Sequence, residues 1–456
     1  METLRKFERD LGEMREYYSQ GKTKEASWRK SQLKGLLTLL KEKEGDILNA
    51  LMQDLGKHQV ETFRDEIGTL IKTLNLALES LREWMSGRKA KLPQIALLTS
   101  AEIVPEPLGL VLIISSWNFP FGLSLEPMIG ALAAGNTVVL KPSELAPASA
   151  SLLATAISTY LDNKAVKVIQ GGPSVGEQLL QQRWDKIFFT GSAHVGRIVM
   201  SAAVKHLTPV TLELGGKCPA VLDSLSSSWD IKVELMKSMI KEMFGENPKE
   251  SHSIARIINK HHLLRLENLL KDPHVHASIV YGGSVDEDNL FIEPTILVDP
   301  PLQAKIMTDE IFGPLLPIIT LEKIEDSIQF INSKPKALAI YCFTKNKTLQ
   351  SRMISETSSG SVTFNDTIIQ YAADTLPFGG VGGSGFGTYH GKFSFDTFSH
   401  EKAITRRSFL TEFWFRFPPW NNHKVQLLAS ALNYDYLGLV LVILGLKSYR
   451  QGLGDI

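Results

Sequence analysis

The chain has 456 residues, more than one ordinary core accommodates, so two or three domains are expected. An apolar fraction of 43%, a charged fraction of 21% and a formal net charge of +0 are those of a globular protein, and no excess of charge favours nucleic acid over a small neutral substrate. Two cysteines, Cys218 and Cys342, argue against a disulfide framework and fit a reducing, cytoplasmic setting.

Apolar residues at helical spacing predict three helices before residue 90, over 3–20, 26–54 and 62–85. Leu33, Leu36, Leu37 and Leu40 share a face of the second, and Ile67, Leu70, Ile71 and Leu74 a face of the third. Then the pattern changes. Residues 108–115, 137–140, 166–169, 186–190 and 210–214 are short apolar or β-branched runs, separated by helix-compatible stretches such as 146–161 and 194–205. Strand, helix, strand in repetition predicts a doubly wound parallel sheet with helices on both faces. After Gly215 a second α/β domain is expected, with helices near 233–244 and 260–270. Its strands are expected at 279–281, 295–298, 315–319, 337–343 and 361–364. Residues 376–391, LPFGGVGGSGFGTYHG, read as a loop. The run LGLVLVILGL, 437–446, precedes Lys447 and Arg450. It is short of the ~20 residues of a spanning helix. It reads as a final helix packed on the body or on a partner subunit. The alternative is a peripheral membrane contact, since Trp414, Trp420 and Lys424 lie nearby.

Several polar residues sit at the ends of these apolar runs. Glu213, in VTLELGGKCPAVLD (210–223), is next to last in its strand, and a carboxylate there is costly unless it has a partner or a task such as general-base chemistry. Gly191, Ser192 and Gly196, in FTGSAHVG, link a strand to a helix start where a phosphate could bind. Lys141 and Glu144, in KPSE, follow another strand at the edge where ribose hydroxyls would be held. Asn118, in SWNFP, could donate to an oxyanion. Glu310 and Phe312, in EIFGP, and the pair Asn365–Asp366 are further candidates. The histidines show no metal-ligand spacing, so no metal is expected.

In order along the chain, SWNFP, KPSE, FTGSxxxG, LELGGK, EIFGP and PFGGVGGSGFG strongly resemble the aldehyde dehydrogenase superfamily, most of all its class 3 branch and the plant forms within it. The resemblance implies oxidation of an aldehyde to a carboxylic acid with NAD or NADP. In that chemistry a cysteine thiolate attacks the carbonyl, hydride leaves for the nicotinamide, and a water activated by glutamate hydrolyses the thioester. It implies a helical and nucleotide-binding domain over 1–212, a catalytic domain over 213–391 and a bridging tail over 392–456. Asn118 would hold the oxyanion, Lys141 and Glu144 the adenosine ribose, and Gly191, Ser192 and Gly196 the pyrophosphate. Glu213 would be the general base, Glu310 would bind the nicotinamide ribose and Phe312 would pack at the ring. Ser116 stands where many members carry proline. A homodimer, or a dimer with full-length copies, is the implied assembly.

One part of the pattern is missing. The family's nucleophile lies ~35 residues beyond the LELGGK glutamate in a GQxC-type turn. Here that spacing falls near Asn247, in FGENPKE, and no GQxC string occurs anywhere. The residues DIKVEL, 230–235, run straight into LMKSMIKEMFGENP, so an internal excision of ~35 residues with both flanks in register is expected. Cys218 reads as structural and Cys342 as core. The chain is therefore expected to be inactive or impaired, or to act as a non-catalytic cofactor-binding subunit.

Overall fold

The computed structural model describes residues 2–93, 96, 98–223, 229–409 and 413–446. They form two compact units, one of residues 1–82 with 107–399, the other of 83–106 with 400–456.

The first unit contains the doubly wound sheet. Its parallel strands lie in the order Val210–Leu214, Lys186–Gly191, Leu110–Ile114, Thr137–Lys141 and Val166–Val168. The order turns back at Leu110–Ile114, with two later strands on each side. Alternation sorts the side chains. Leu110, Leu112, Ile114, Ile187, Phe189, Leu212 and Leu214 share a core with Trp184 and with Leu11 and Met14 of the N-terminal helix Glu2–Ser19. The helix Gly122–Ala134 lies against the Leu110 and Thr137 strands and is buried along its whole length. It has no polar face because it meets no water.

The glycine-rich segment is not all loop. Gly385–Phe386 returns as a short strand, antiparallel to Val210–Leu214, with Gly385 opposite Glu213. The helix expected over 26–54 is two, Ala26–Glu42 and Glu44–Leu55, broken at Lys43; Glu44 and Asp46 suit a new helix start. The third helix begins earlier, at Gln59, and passes through a wide turn, Phe63–Ile67, before Gly68–Met85.

Beyond Glu213 the described residues form two three-stranded sheets and a two-stranded hairpin, Val285–Asp286 with Phe291–Ile292. One holds Leu315–Ile318, Thr295–Val298 and Ile279–Tyr281, and the other Ser359–Phe364, Ala337–Phe343 and Ala220–Leu222. Ala220–Leu222 pairs only with Ala337–Phe343, so among the described residues its other edge is bare. The helix Trp229–Phe244 follows, and among its described side chains Val233 is buried but none belongs to either core cluster of this half. Leu235, Met239 and Met243, four apart on one face, are 60%, 45% and 59% exposed.

The second unit holds a sheet of Arg88–Lys89, Thr99–Pro107 and Ser399–Arg407, not anticipated from sequence because its residues alternate between charge and small apolar groups. Two helices follow, Asn422–Leu432 and Tyr436–Ile443, packed on each other. No helix among the described residues is long and apolar enough to cross a membrane.

Candidate active site

Parallel strands bring four of the motifs to one edge. Ser116–Pro120 follows Leu110–Ile114, Pro142–Glu144 follows Thr137–Lys141, Ser192 follows Lys186–Gly191, and Gly215–Gly216 follows Val210–Leu214. The strand order reverses among them, which is where open α/β sheets bind ligands. Ser192 caps the helix Ala193–Val204, its Oγ accepting from the Val195 N–H at 3.4 Å. The positive end of that helix suits an anion. Gly196 lies one turn on and is buried. A Cβ there would meet Leu214 Cδ2 at 3.0 Å, so the missing side chain lets the helix seat on the Glu213 strand. Lys141 is buried and donates from Nζ to Glu144 Oε2 at 2.7 Å and to the Pro142 carbonyl at 3.2 Å, while Glu144 itself is exposed.

Glu213 sits between Thr190 on one neighbouring strand and Gly385 on the other. It is 4% exposed, and neither carboxylate oxygen has a hydrogen-bond partner. The Thr190 hydroxyl beside it is unpartnered too. Burial alone pushes the carboxyl well above the usual carboxylate range. With its lone pairs unspent, this carboxyl can exchange a proton with a water or substrate group that reaches it. The rings on this face form a cluster: Phe188 meets Tyr389 edge-on at 5.1 Å, and Tyr371 and Phe378 close around His390 at 4.8 and 5.1 Å.

Beyond that cluster lies a cavity of about 10 Å³, lined by Thr73, Lys72, Glu126, Tyr371, Asp374 and His390, with room for one water. Burial, then the nearby Asp374 charge, raises Glu126 to about 8, and burial lowers His390 to about 4.

The Asn118 loop is held by a pair that sequence reasoning missed. Lys57 donates from Nζ to the Asn118 carbonyl at 2.8 Å and to Glu66 Oε1 at 3.0 Å, and it lies 4.0 Å from the Phe119 ring centre. Glu66 is fully buried, and its other oxygen accepts from the N–H groups of Phe121 at 2.9 Å and Gly122 at 3.1 Å. It therefore caps the helix Gly122–Ala134 while its partner holds the loop before it. Burial pushes the Glu66 carboxyl up, and Lys57 and the two N–H groups pull it back. In sequence, a lysine and a glutamate nine apart read as two solvated charges. Nothing in the local sequence marks the pair; in the fold Glu66 lies in the wide turn Phe63–Ile67, where it is buried.

Glu310 and Phe312 reach the same edge. The Glu310 carboxylate lies against Gly215–Gly216, where the Gly216 N–H favours its charged form. A Cβ on Gly215 would lie 2.1 Å from Glu310 Oε2, so only glycine permits this approach. Burial raises the Glu310 carboxyl despite Arg265 and Lys217 nearby. Phe312, in the left-handed region at φ 51°, packs edge-on to Trp117 at 5.1 Å. Glu310, Phe312, Gly215–Gly216 and the Trp117–Asn118 turn thus come together. Asn365 stands apart, its Oδ1 accepting from the Thr344 N–H. Cys218 is exposed, yet partial desolvation and the Glu310 charge push its thiol up rather than down, the reverse of an activated nucleophile. Cys342 is buried mid-strand with Ile340 and Met353. No group of three or more histidine, cysteine or acidic side chains that could hold a metal occurs among the described residues.

Comparison with known proteins agrees with this arrangement. The profile of the aldehyde dehydrogenase family matches residues 5–227 and 225–404. Aldehyde dehydrogenase family 3 member F1 of Arabidopsis thaliana is 52% identical over 475 aligned positions, which take in 96% of this chain and 98% of that protein. A substrate-bound AldH of Staphylococcus aureus is 38% identical, with a TM-score of 0.89 over 93% of this chain and 99% of its own. Glyceraldehyde-3-phosphate dehydrogenase GapN of Methanocaldococcus jannaschii, complexed with NADP, is 23% identical with a TM-score of 0.77 over 89% and 95%, a likeness of fold.

Proposed function

Because the chain belongs to the aldehyde dehydrogenase family, whose members oxidise aldehydes with NAD or NADP, we propose that it is a family 3 scaffold with an intact cofactor side and no residue to capture the aldehyde. The observation that carries this is the cysteine inventory. After Glu213 the chain holds only Cys218, with its raised thiol, and Cys342, which is buried in a core strand.

An excised segment accounts for that inventory. Ninety-six per cent of 456 residues is about 438, so an alignment of 475 positions leaves roughly 37 of the Arabidopsis protein without a counterpart here. The two stretches of the family match meet at 225–227. The bare edge of Ala220–Leu222 and the weakly packed helix Trp229–Phe244 flank the same point, as expected where a strand and its helix are missing.

In this reading residues 1–212 carry the nucleotide, 213–391 the remains of the catalytic domain and 392–456 the bridging tail. Ser192 and Gly191 take the pyrophosphate at the helix start, Lys141 and Glu144 the adenosine ribose, and Glu310 the nicotinamide ribose, with Phe312 beside the ring. The cofactor supplies a hydride acceptor when bound. The Asn118 amide donates to the carbonyl oxygen of the substrate, and Glu213 takes a proton from water. Without a thiolate no thioester forms, and loss of a covalent route costs several orders of magnitude in rate. The intact Ser192 helix cap and Lys141–Glu144 pair favour a second role, a cytoplasmic cofactor-binding subunit paired with itself or with full-length copies.

The test is aldehyde-dependent NADH or NADPH formation by the purified chain, beside calorimetry with each cofactor. Cofactor binding with turnover at least about a thousandfold below a full-length relative is expected. Turnover near that of the relative, abolished by Cys218→Ser, defeats the reading.

A further inference from the structure

We propose that Arg265 and Lys217 are positioning residues: between them they hold the three successive main-chain carbonyls ahead of Phe312, and so aim Glu310 and Phe312 at the nicotinamide end of the cofactor. The proposal rests on the cofactor-binding reading above. Residues 310–312 belong to no helix or strand, so no backbone ladder fixes them. Lys217 donates from Nζ to the Asp309 carbonyl at 3.1 Å and to the Ile306 carbonyl at 2.6 Å. Arg265 donates from Nη1 to the Glu310 carbonyl at 3.3 Å and from Nη2 to the Ile311 carbonyl at 2.5 Å. The next residue is Phe312, at φ 51°, a conformation that a bulky side chain keeps only where its surroundings over-determine it. Gly313 then presses on the helix that carries Arg265, since a Cβ there would lie 2.5 Å from Leu266 Cδ1.

Charge-assisted bonds are stronger than neutral ones, and the planar guanidinium fork suits two adjacent carbonyls better than a single ammonium does. Both cations bond carbonyls rather than the Glu310 carboxylate, which therefore keeps acceptor capacity for ribose hydroxyls. The helix Lys260–Leu270 serves the facing wall as well. Positions 262, 265 and 266 share one of its faces. His262 lies against Trp117 with ring centres 5.4 Å apart, and Trp117 in turn meets Phe312. Asn259 fixes the start of the helix by accepting from the His262 N–H at 2.9 Å. One element thus sets the separation of the Trp117–Asn118 turn from the Glu310–Phe312 segment, while Lys217 ties that segment to the turn after the Glu213 strand. Lys141 and Ser192, on the adenosine side, make their bonds with other partners, so loss of either cation is read at one end of the cofactor only.

The full chain and its Arg265→Met, Arg265→Lys and Lys217→Met variants are titrated by calorimetry with NADH, which carries the nicotinamide end, and with ADP, which carries only the adenosine end. Arg265→Met and Lys217→Met are each expected to weaken NADH about tenfold and to leave ADP within about twofold. Arg265→Lys, which keeps the charge without the fork, recovers part of the loss. In a Glu310→Ala background, Arg265→Met costs less than about threefold in NADH affinity, because the carboxylate that the guanidinium positions is gone. Equal loss of NADH and ADP overturns the proposal and assigns the cations to the phosphates or to the fold at large. NADH affinity unchanged in both methionine variants overturns it as well, as does a tenfold loss that persists beside Glu310→Ala. An unsubstituted chain that binds neither ligand overturns the proposal together with the cofactor-binding reading, whereas one that binds both, with variants that do the same, overturns the proposal alone.

Discussion

Glu126 keeps its proton in the folded protein up to about pH 8, whereas an unfolded glutamate loses it near ~4.3. The stability it contributes is therefore complete below the unfolded value and is lost as pH rises towards 8. His390, held down to about 4, acts in the other window: its contribution is complete above ~6.5 and is lost as pH falls towards 4. Between pH 6.5 and 8 only the Glu126 side of this pair remains, and burial raises Glu213 and Glu310 in the same direction. The thermal midpoint should fall across that window, by the equivalent of about 2 kcal/mol for Glu126 alone. Glu126→Gln should flatten the fall, and a midpoint that climbs from pH 6.5 to 8 would contradict the assignment. Lys57 makes a different prediction. Lys57→Met strands Glu66 without its counterion and should cost about 3–5 kcal/mol in urea unfolding, whereas adding Glu66→Gln should recover part of the loss. Equal stability of the single and double variants would mean that the pair does not hold the Asn118 loop.

At the scale of elements, the legible parts are those whose period follows from burial. Strands sealed on both faces, such as Leu110–Ile114, read as continuous apolar runs. The helix Lys260–Leu270 repeats its leucines at helical spacing and packs them into the core beside Leu297 and Ile306. The wide turn at Phe63–Ile67 and the Thr99–Pro107 strand were hidden because one depends on a buried contact with a distant loop and the other on pairing with residues three hundred positions away. The site divided in the same way. Glu213 and Asn118 stood out beside apolar strands, whereas Lys57 and Glu66 gain their meaning only when the loop folds over them. The helix Trp229–Phe244 supports a prediction of its own. Leu235→Glu with Met239→Glu should change stability by less than about 1 kcal/mol, since both residues already face water, while Leu266→Ala should cost about 2–5 kcal/mol. Hydrogen exchange should show the amides of that helix opening long before those of Leu110–Ile114.

For the molecule as a whole, if the proposed excision is right, placing the unmatched segment of the Arabidopsis relative between residues 224 and 229 should restore aldehyde turnover and raise the unfolding midpoint in one step, since on that reading the same residues carry both a thiol and a sheet strand. Recovery of stability without turnover would separate the two roles and count against the reading of the gap. Among the described residues, Ala220–Leu222 pairs on one side only, and Leu222 at its end is exposed. Chaperones and proteases recognise such a rim. On the proposed reading the cellular half-life of this chain should be short, and a companion chain able to cover that rim should lengthen it, which a chase after translation arrest with and without the companion would read.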